Sequence, residues 1–413
     1  MVNLSCMKKL YLLVFTFIAI ATVFSTCASF KKAPLSDTYY VRADGNDRND
    51  GLSEEKPFRS LFKAMVMANA TSIKTITVIG TLDINSEQSS NKERVFLIQG
   101  TGETPILIRG IDSKEPAVLS AEGSERRVVL IKGNISIHFE NIEISGGITS
   151  GEGGGIGIGP GSSVTLGTGS VICNNSSKNI GGGILIAPGG SLLINGGKIL
   201  NNQSEVVGGG IAMAGANSIL VIKDGEISSN QAQGGGGIAV FQEGQFTLTG
   251  GTITDNTADI AGGGVIINQN GIFIMEGGVI RGNRSSGSGG GIALMEQSSF
   301  VLEDGEILGN RAAEHGGGIA SDNTGSITVK GGFISANRAA IQGGGIFTAG
   351  PFIKSAGKIY GSDMPEDAAN IAPSGAAIFI YDLNGLIKTR ETSAGEGLIL
   401  DASADDGWVI IEE

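Results

Sequence analysis

The sequence predicts an all-β protein that forms a single right-handed parallel β-helix, with three short strands in each coil of about 27 residues and a short N-terminal capping helix. Composition is the first observation: 68 of 413 residues are glycine and 40% are hydrophobic, which combines tight turns with strand formers. The second is a pair of sequence marks that recur in step at a fixed period. The third is that the repeats lack the apolar period of 3.6 residues that a long helix requires.

The first mark is a triple glycine followed by an aliphatic residue. Successive marks follow one another at a nearly constant interval of about 27 residues, as the units of a solenoid do. Glycine suits a sharp corner between strands because it accepts positive φ and close backbone approach. The last glycines of the marks are Gly155, Gly183, Gly210, Gly237, Gly264, Gly291, Gly318 and Gly345.

The second mark is an isoleucine followed three residues later by an asparagine. Stacked side-chain amides can hydrogen-bond to one another and to the backbone of a turn, so this mark predicts a structural ladder along the solenoid. The predicted ladder residues are Asn175, Asn202, Asn230, Asn256, Asn283, Asn310 and Asn337.

Each repeat contains three segments with strand character. An alternating apolar pair follows the glycines, as in Ile184/Ile186, and a second pair follows it, as in Leu220/Ile222. A Gly-Gly or Asp-Gly turn then precedes the Ile-x-x-Asn strand. Alternation with period 2 turns one face inward, and a single coil must stack on its neighbours to bury that face. Right-handed winding is the default for parallel crossovers.

The regions outside the regular repeats complete the predicted organisation. Residues 30–74 form an N-terminal cap segment that includes a helix over Ser60–Ala70, and residues 75–152 form irregular early coils. The regular repeats occupy residues 153–371, and residues 372–413 form the last coil and a C-terminal cap. The turn-rich segment Asp44–Gly51 carries several oxygen ligands, but it departs from the calcium-loop pattern, which favours a hydrogen-bonded cap turn.

These marks resemble known proteins in two places. The segment before and within the predicted helix is similar to the N-terminal cap of secreted pectin-lyase-like β-helix proteins. Over about residues 150–345, the paired marks resemble the GGA-aliphatic and F-x-x-N passenger repeats of polymorphic outer membrane proteins, with isoleucine in place of phenylalanine and a third glycine in place of alanine. The resemblance implies a surface-exposed or secreted passenger-like β-helix.

The N-terminus predicts export. Lys8 and Lys9 precede the apolar run Leu10–Phe24, so residues 1–29 are predicted to be a signal peptide. The run ends near Cys27, in a sequence that resembles a loose bacterial lipobox. We therefore expect lipidation at Cys27 and an outer-membrane or cell-surface location, with membrane contact through the lipid. The alternative is cleavage after Ala28 or Ser29 and secretion without an anchor.

Charge and side-chain distribution favour a binding or structural function over catalysis. The formal net charge is −12, which disfavours nucleic acid as a partner. Asp224 and Asp304 share one repeat position but lie three coils apart, and His138 and His315 also lie in distant coils. We therefore predict no catalytic residues, no metal site and no cofactor. The expected function is adhesion, ligand binding or an envelope-structural role; the alternative is a carbohydrate-active enzyme, either a polysaccharide lyase or a glycoside hydrolase.

One column of cations stands out. Arg284, Arg311 and Arg338 each follow a ladder asparagine directly in three successive coils. They are candidate residues for binding an anionic glycan or another acidic partner, from a host or from the environment. The alternative is a solvated face whose arginines have acidic neighbours.

Overall fold

The chain folds into a right-handed parallel β-solenoid of about nine turns, with 51% of residues in strands and 3% in helix. The computed structural model describes residues 37–84, 95–111, 116–381, 386–395, 400–401 and 409–412. The predicted fold class is confirmed. Cys27 and the rest of the predicted signal peptide lie outside the described residues. Within the described ranges, no helix is long and apolar enough to cross a membrane.

Three sheets run along the solenoid, and their strands are numbered β1 to β41 in chain order. Sheet 1 has 20 strands: β1 (Thr38–Arg42), β2 (Thr75–Ile79), β3 (Thr81–Asp83), β5 (Gly102–Gly110), β6 (Ala117–Ser120), β8 (Ile135–Glu140), β9 (Ile142–Ser145), β12 (Ser163–Leu166), β13 (Val171–Cys173), β16 (Ser191–Leu200), β19 (Ile219–Ser228), β22 (Gln245–Leu248), β23 (Thr252–Thr254), β26 (Ile272–Arg281), β29 (Ser299–Leu308), β32 (Ser326–Val329), β33 (Phe333–Ser335), β36 (Phe352–Lys354), β37 (Lys358–Ile359) and β40 (Leu400–Asp401).

Sheet 2 contains the strands that follow the triple glycines. Its 13 strands are β4 (Phe96–Gln99), β7 (Val129–Lys132), β11 (Ile156–Ile158), β15 (Ile184–Ile186), β18 (Ile211–Ala214), β21 (Ile238–Phe241), β25 (Val265–Ile267), β28 (Ile292–Leu294), β31 (Ile319–Ser321), β35 (Ile346–Thr348), β38 (Ile378–Tyr381), β39 (Leu386–Arg390) and β41 (Val409–Glu412). Sheet 3 has eight short strands: β10 (Ile148–Thr149), β14 (Ser176–Ser177), β17 (Gln203–Ser204), β20 (Gln231–Gly234), β24 (Thr257–Ala261), β27 (Arg284–Ser285), β30 (Arg311–Ala312) and β34 (Arg338–Ala339).

The strand arrangement within a coil refines the sequence prediction. The second and third predicted segments belong to the same sheet, and in β16, β19, β26 and β29 they join into one ten-residue strand. The expected turn between them is a bulge, with register shifts on either side of Asn195 and a φ of 97° at Gly196. From β14 onward, each strand of sheet 3 begins at the residue directly after a ladder asparagine. Most of its strands are only two residues long, which is too short for a period-2 pattern to appear in the sequence.

The core is a continuous apolar stack inside the solenoid. Inward-facing residues of successive coils lie in register, so equivalent side chains contact one another. Phe246 and Phe273 stack with ring centroids 4.2 Å apart, and Phe300 follows at 5.0 Å. Each fully buried side chain of this size contributes about 1.5–3 kcal/mol through removal of apolar surface from water.

Both ends of the stack are covered. Helix α1 (Leu61–Ala70) packs at the N-terminal end, and Ser60 caps it by accepting a hydrogen bond from the Lys63 backbone N–H at 3.1 Å. Asp47 accepts hydrogen bonds from the backbone N–H groups of Arg59 and Ser60, which joins the preceding turn to the start of the helix. At the C-terminal end, β39, β40 and β41 pair antiparallel and so end the parallel stacking.

Candidate functional site

The asparagine ladder forms the corner between sheets 1 and 3. Asn202 illustrates its geometry. Its backbone N–H and its Nδ2 both donate to the Oδ1 of Asn230, at 2.9 and 3.0 Å, and Nδ2 also donates to the carbonyl oxygen of Ile172 at 2.9 Å. The same contacts recur in each regular coil, so both amide hydrogens and both acceptor sites of the oxygen are used. The seven predicted asparagines are all at most 1% exposed.

The ladder extends beyond the predicted residues. Asn370 is an eighth member, because its Oδ1 accepts from the backbone N–H of Asn337 at 2.9 Å and from its Nδ2 at 3.0 Å. The Ile-x-x-Asn mark does not find it, because Asn370 comes eleven residues after Ile359 instead of three. At the other end, the Oδ1 of Asn175 accepts from the backbone N–H of Gly147, which occupies the ladder position of an early coil.

The corner places a left-handed residue just before each of the seven predicted ladder asparagines. Asn174, Asn201, Ser229 and Asp255 have φ between 53° and 56° at this position. Gly282, Gly309 and Ala336 occupy it in later coils, with φ of 65°, 65° and 54°. The resulting change of direction places the residue after the asparagine at the start of a sheet 3 strand.

That geometry produces the arginine column, which we define as Arg284, Arg311 and Arg338. The three residues are direct parallel partners in sheet 3. The residue after each arginine is small and buried, and alternation along the strand therefore turns the arginine outward. All three arginines are exposed. Uncharged residues hold the same register in earlier coils: Ser176, Gln203, Gln231 and Thr257.

The arginine column borders an open groove of about 440 Å³. Small exposed residues run along the groove two positions after each arginine: Ser286, Ala313 and Ala340. Within the described part of the chain, none of the three guanidinium groups lies within 4.0 Å of a carboxylate oxygen. No carboxylate therefore forms an ion pair with the column among the described side chains, although Asp259 and Glu314 are exposed nearby in the sequence.

Other titratable side chains do not assemble with this column. Glu226 pairs with Lys198 at 3.0 Å, and hydrogen bonds from Ser228 and Lys198 lower the pKa of its carboxyl group. Asp224 uses its Oδ1 to accept from the Gly225 backbone N–H, a bond that Asp304 repeats with Gly305 three coils later.

The two histidines lie in different parts of the solenoid. His138, on sheet 1, contacts the Glu140 Oε1 at 3.0 Å, and the hydrogen bond from His138 lowers the pKa of Glu140. A Cβ atom at Gly167 would lie 2.6 Å from the His138 Nε2, so this glycine leaves room for the pair. His315 stacks on Phe347 at 4.5 Å beside sheet 2, and burial lowers its pKa. The His138–Glu140 pair was missed in the sequence, although residues two apart on a strand share a face.

A second depression lies on the outer face of sheet 2. It has a volume of about 180 Å³, an apolar floor that includes Ala293, Ala320 and Phe347, and polar side chains from Ser288 and Asp322 at its margin. Among the described residues, no group of three or more His, Cys, Asp or Glu side chains has a metal-binding arrangement.

Comparison of the chain with models of known protein families and with curated proteins found no match. The functional interpretation therefore depends on the geometry of the surface. At the level of fold, the chain is a right-handed parallel β-solenoid with an internal asparagine ladder and an exposed arginine column.

Proposed function

We propose that this chain is an exported bacterial surface protein that binds an anionic ligand along the arginine column without cleaving it. The observation that carries the proposal is the alignment of Arg284, Arg311 and Arg338 in adjacent strands, beside a groove of about 440 Å³. Each guanidinium is permanently charged and can bind a carboxylate or sulfate through two hydrogen bonds.

The electrostatics of the free column support ligand binding. Like charges separated by ~4.8 Å repel by about 1 kcal/mol per neighbouring pair in water, before salt screening is included. No described carboxylate within ion-pair distance offsets this repulsion. A bound anion would offset it, so the column gains more from an anionic ligand than the same number of scattered arginines would.

The export part of the proposal is supported by the sequence. The basic residues Lys8 and Lys9, the apolar run Leu10–Phe24 and Cys27 have the order of a lipoprotein signal. The repeats resemble passenger repeats of polymorphic outer membrane proteins, which favours a cell-surface or outer-membrane position. Palmitate labelling should occur in the wild-type protein and disappear in Cys27→Ala. Unlabelled wild-type protein in the medium would instead support secretion without an anchor.

Binding is tested with the triple variant Arg284→Gln, Arg311→Gln and Arg338→Gln. Glutamine already occupies this register at Gln203 and Gln231, so the variant should keep the fold. The matched control, Lys178→Gln, Lys223→Gln and Lys330→Gln, removes the same charge from other exposed positions. Immobilised acidic and neutral polysaccharides and matrix proteins are screened for both binding and cleavage.

We expect acidic ligands to bind the wild-type and control proteins, to bind the arginine variant at least tenfold more weakly, and to dissociate as salt rises. Equal binding by both variants would remove the arginine column from the proposal. If the purified wild-type protein cleaves a polysaccharide and the His138→Gln variant does not, the protein is an enzyme and the binding proposal is wrong.

A further inference from the structure

We infer that the ligand of the arginine column is a linear acidic polysaccharide that runs parallel to the solenoid axis and places one anionic group on each coil. This inference rests on the proposed function and specifies its ligand. It depends on the register of the three arginines, on the residues that line the groove and on the residues that end it.

The register sets the spacing of charges in the ligand. Adjacent parallel strands place equivalent residues ~4.8 Å apart, so Arg284 and Arg338 are about 10 Å apart at the backbone. An extended acidic peptide repeats its side chains on one face every ~6.6–6.8 Å and therefore loses register with the column after one contact. A sugar chain advances by about one coil spacing per ring, so a chain whose carboxylates or sulfates lie on one side can engage all three arginines.

The groove lining favours a glycan over a nucleic acid. Proteins that bind single-stranded nucleic acids usually stack the bases on aromatic side chains. The groove is lined by arginine, serine, alanine and threonine. Its small residues, Ser286, Ala313 and Ala340, leave space beside the guanidinium groups for a ring with hydroxyl groups. The net charge of −12 opposes every polyanion through the field of the whole protein, so the affinity for the polysaccharide should be modest and should fall as salt rises.

The ends of the column limit the recognised segment to three charged units. Thr257 continues the register on one side without a charge, and the exposed carboxylate of Asp259 stands two positions later, where Ser286 stands in the next coil. On the other side Arg338 pairs with Ile371, which is uncharged. A longer chain therefore gains no further ion pair from this column and meets like charge near Asp259.

The experiment measures affinity for oligomers of one to six uronic acid rings, with carboxyl-reduced oligomers of the same length as neutral controls. Each exposed ion pair adds up to about fivefold in affinity. We expect the affinity of the wild-type protein to rise with each unit up to three and then to level, and we expect the reduced oligomers not to bind. The triple glutamine variant should lose the dependence on length.

A gain-of-function variant tests the register directly. Thr257→Arg adds a fourth arginine in line with Arg284. We expect its affinity to keep rising up to four units while its affinity for three units or fewer stays close to the wild-type value. Thr257→Gln, which follows the residue type of the earlier coils, should bind like the wild type. Circular dichroism confirms that each variant keeps its strand content.

The outcomes separate the two claims. Binding that depends on the arginines but not on ligand length would overturn the polysaccharide inference and leave a site for a single small anion. Binding of single-stranded DNA or of a polyglutamate peptide as tight as that of the six-ring oligomer would also overturn it. If the wild-type protein and the triple glutamine variant bind acidic ligands equally, or if neither binds them, the proposed function itself is overturned.

Discussion

The early coils and the regular coils bury the same kind of core but form their corners differently. Along sheet 1, Thr75 pairs with Leu107, and Leu107 pairs with His138. Each of these early steps uses a longer stretch of chain than the next step, in which His138 pairs with Thr165. Inward residues of both regions, such as Ile108 and Phe273, are fully buried. The regular coils therefore enclose a comparable core with a shorter chain.

Sheet 3 and the asparagine ladder begin together. The first strand of sheet 3 is β10, at Ile148–Thr149, and the first ladder contact is donated by Gly147. The comparison indicates that apolar stacking is sufficient to form sheets 1 and 2. The compact period and the third sheet require internal hydrogen bonds at the corner, together with glycines that let adjacent coils approach.

Among the substitutions that test this comparison, removal of one ladder amide is expected to lower the free energy of unfolding most. Asn256 accepts from the backbone N–H and the Nδ2 of Asn230 and donates to the Asn283 Oδ1 and the Ile227 carbonyl. Asn256→Ala would leave several buried polar groups without partners, so we expect a loss of about 4 kcal/mol in the free energy of unfolding.

Unfolding in guanidinium chloride, followed by circular dichroism, measures this loss of stability. The matched control is Asn179→Ala, which removes an exposed amide and should change stability by less than about 0.5 kcal/mol. A loss below about 1 kcal/mol for Asn256→Ala, the usual effect of a single substitution, would indicate that apolar stacking also carries the regular coils. The early coils and the regular coils would then not differ in how they are stabilised.

A middle glycine of the triple mark is expected to have the next largest effect. A Cβ atom at Gly236 would lie 2.6 Å from the Gly263 carbonyl oxygen and closer still to that of Thr257. Gly236→Ala forces two backbone segments apart, so we expect a loss of about 3 kcal/mol. In the early coils, a Cβ atom at Gly102 meets nothing within 4 Å. Gly102→Ala should therefore be neutral or slightly stabilising in the same unfolding assay. Equal losses in the two variants would contradict a special role for the glycines of the regular coils.

The smallest expected effect concerns the left-handed residue of the corner. Ala336 has a φ of 54°, whereas the two preceding coils place Gly309 and Gly282 there. Ala336→Gly relieves a conformation that costs an L-residue about 1–2 kcal/mol, so we expect a stabilisation of about 1 kcal/mol after the greater freedom of glycine in the unfolded chain is included. Ala187→Gly, at a position without positive φ, should lose about 0.5 kcal/mol in a parallel thermal unfolding measurement. A destabilised Ala336→Gly protein would show that the corner does not carry this strain.

The extent to which the solenoid could be predicted depended on how regularly each feature repeats. Ladder members from Asn175 to Asn337 recur at nearly equal intervals along the chain, and all of them lie in one buried column. Asn370 was not predicted, because an insertion after Ile359 displaces it from the mark while the solenoid still returns it to the column. The sequence mark depends on the number of residues between two positions, whereas membership of the ladder depends on where the side chain lies in space.

Among the surface groups, too, the sequence predicted what recurs at regular intervals and missed what depends on spatial contacts. The sequence placed the three arginines in one column, because their period equals that of the coil. It did not show that described carboxylates stay beyond ion-pair distance or that small residues open a groove beside the column. It also did not bring His138 against Glu140, since that contact depends on the space that Gly167 leaves on the neighbouring strand.

The sequence by itself determined the solenoid, its period and the seven regularly spaced asparagines of its ladder, because a repeated pattern of apolar, glycine and asparagine residues can satisfy its burial and hydrogen bonds only by stacking coil on coil. The tertiary structure alone decided that two of the three predicted strands share a sheet, that a third sheet follows the ladder, and that the arginine column faces an open groove. These features depend on the φ values of corner residues, whose residue type changes from coil to coil, and on which side chains approach one another across neighbouring coils.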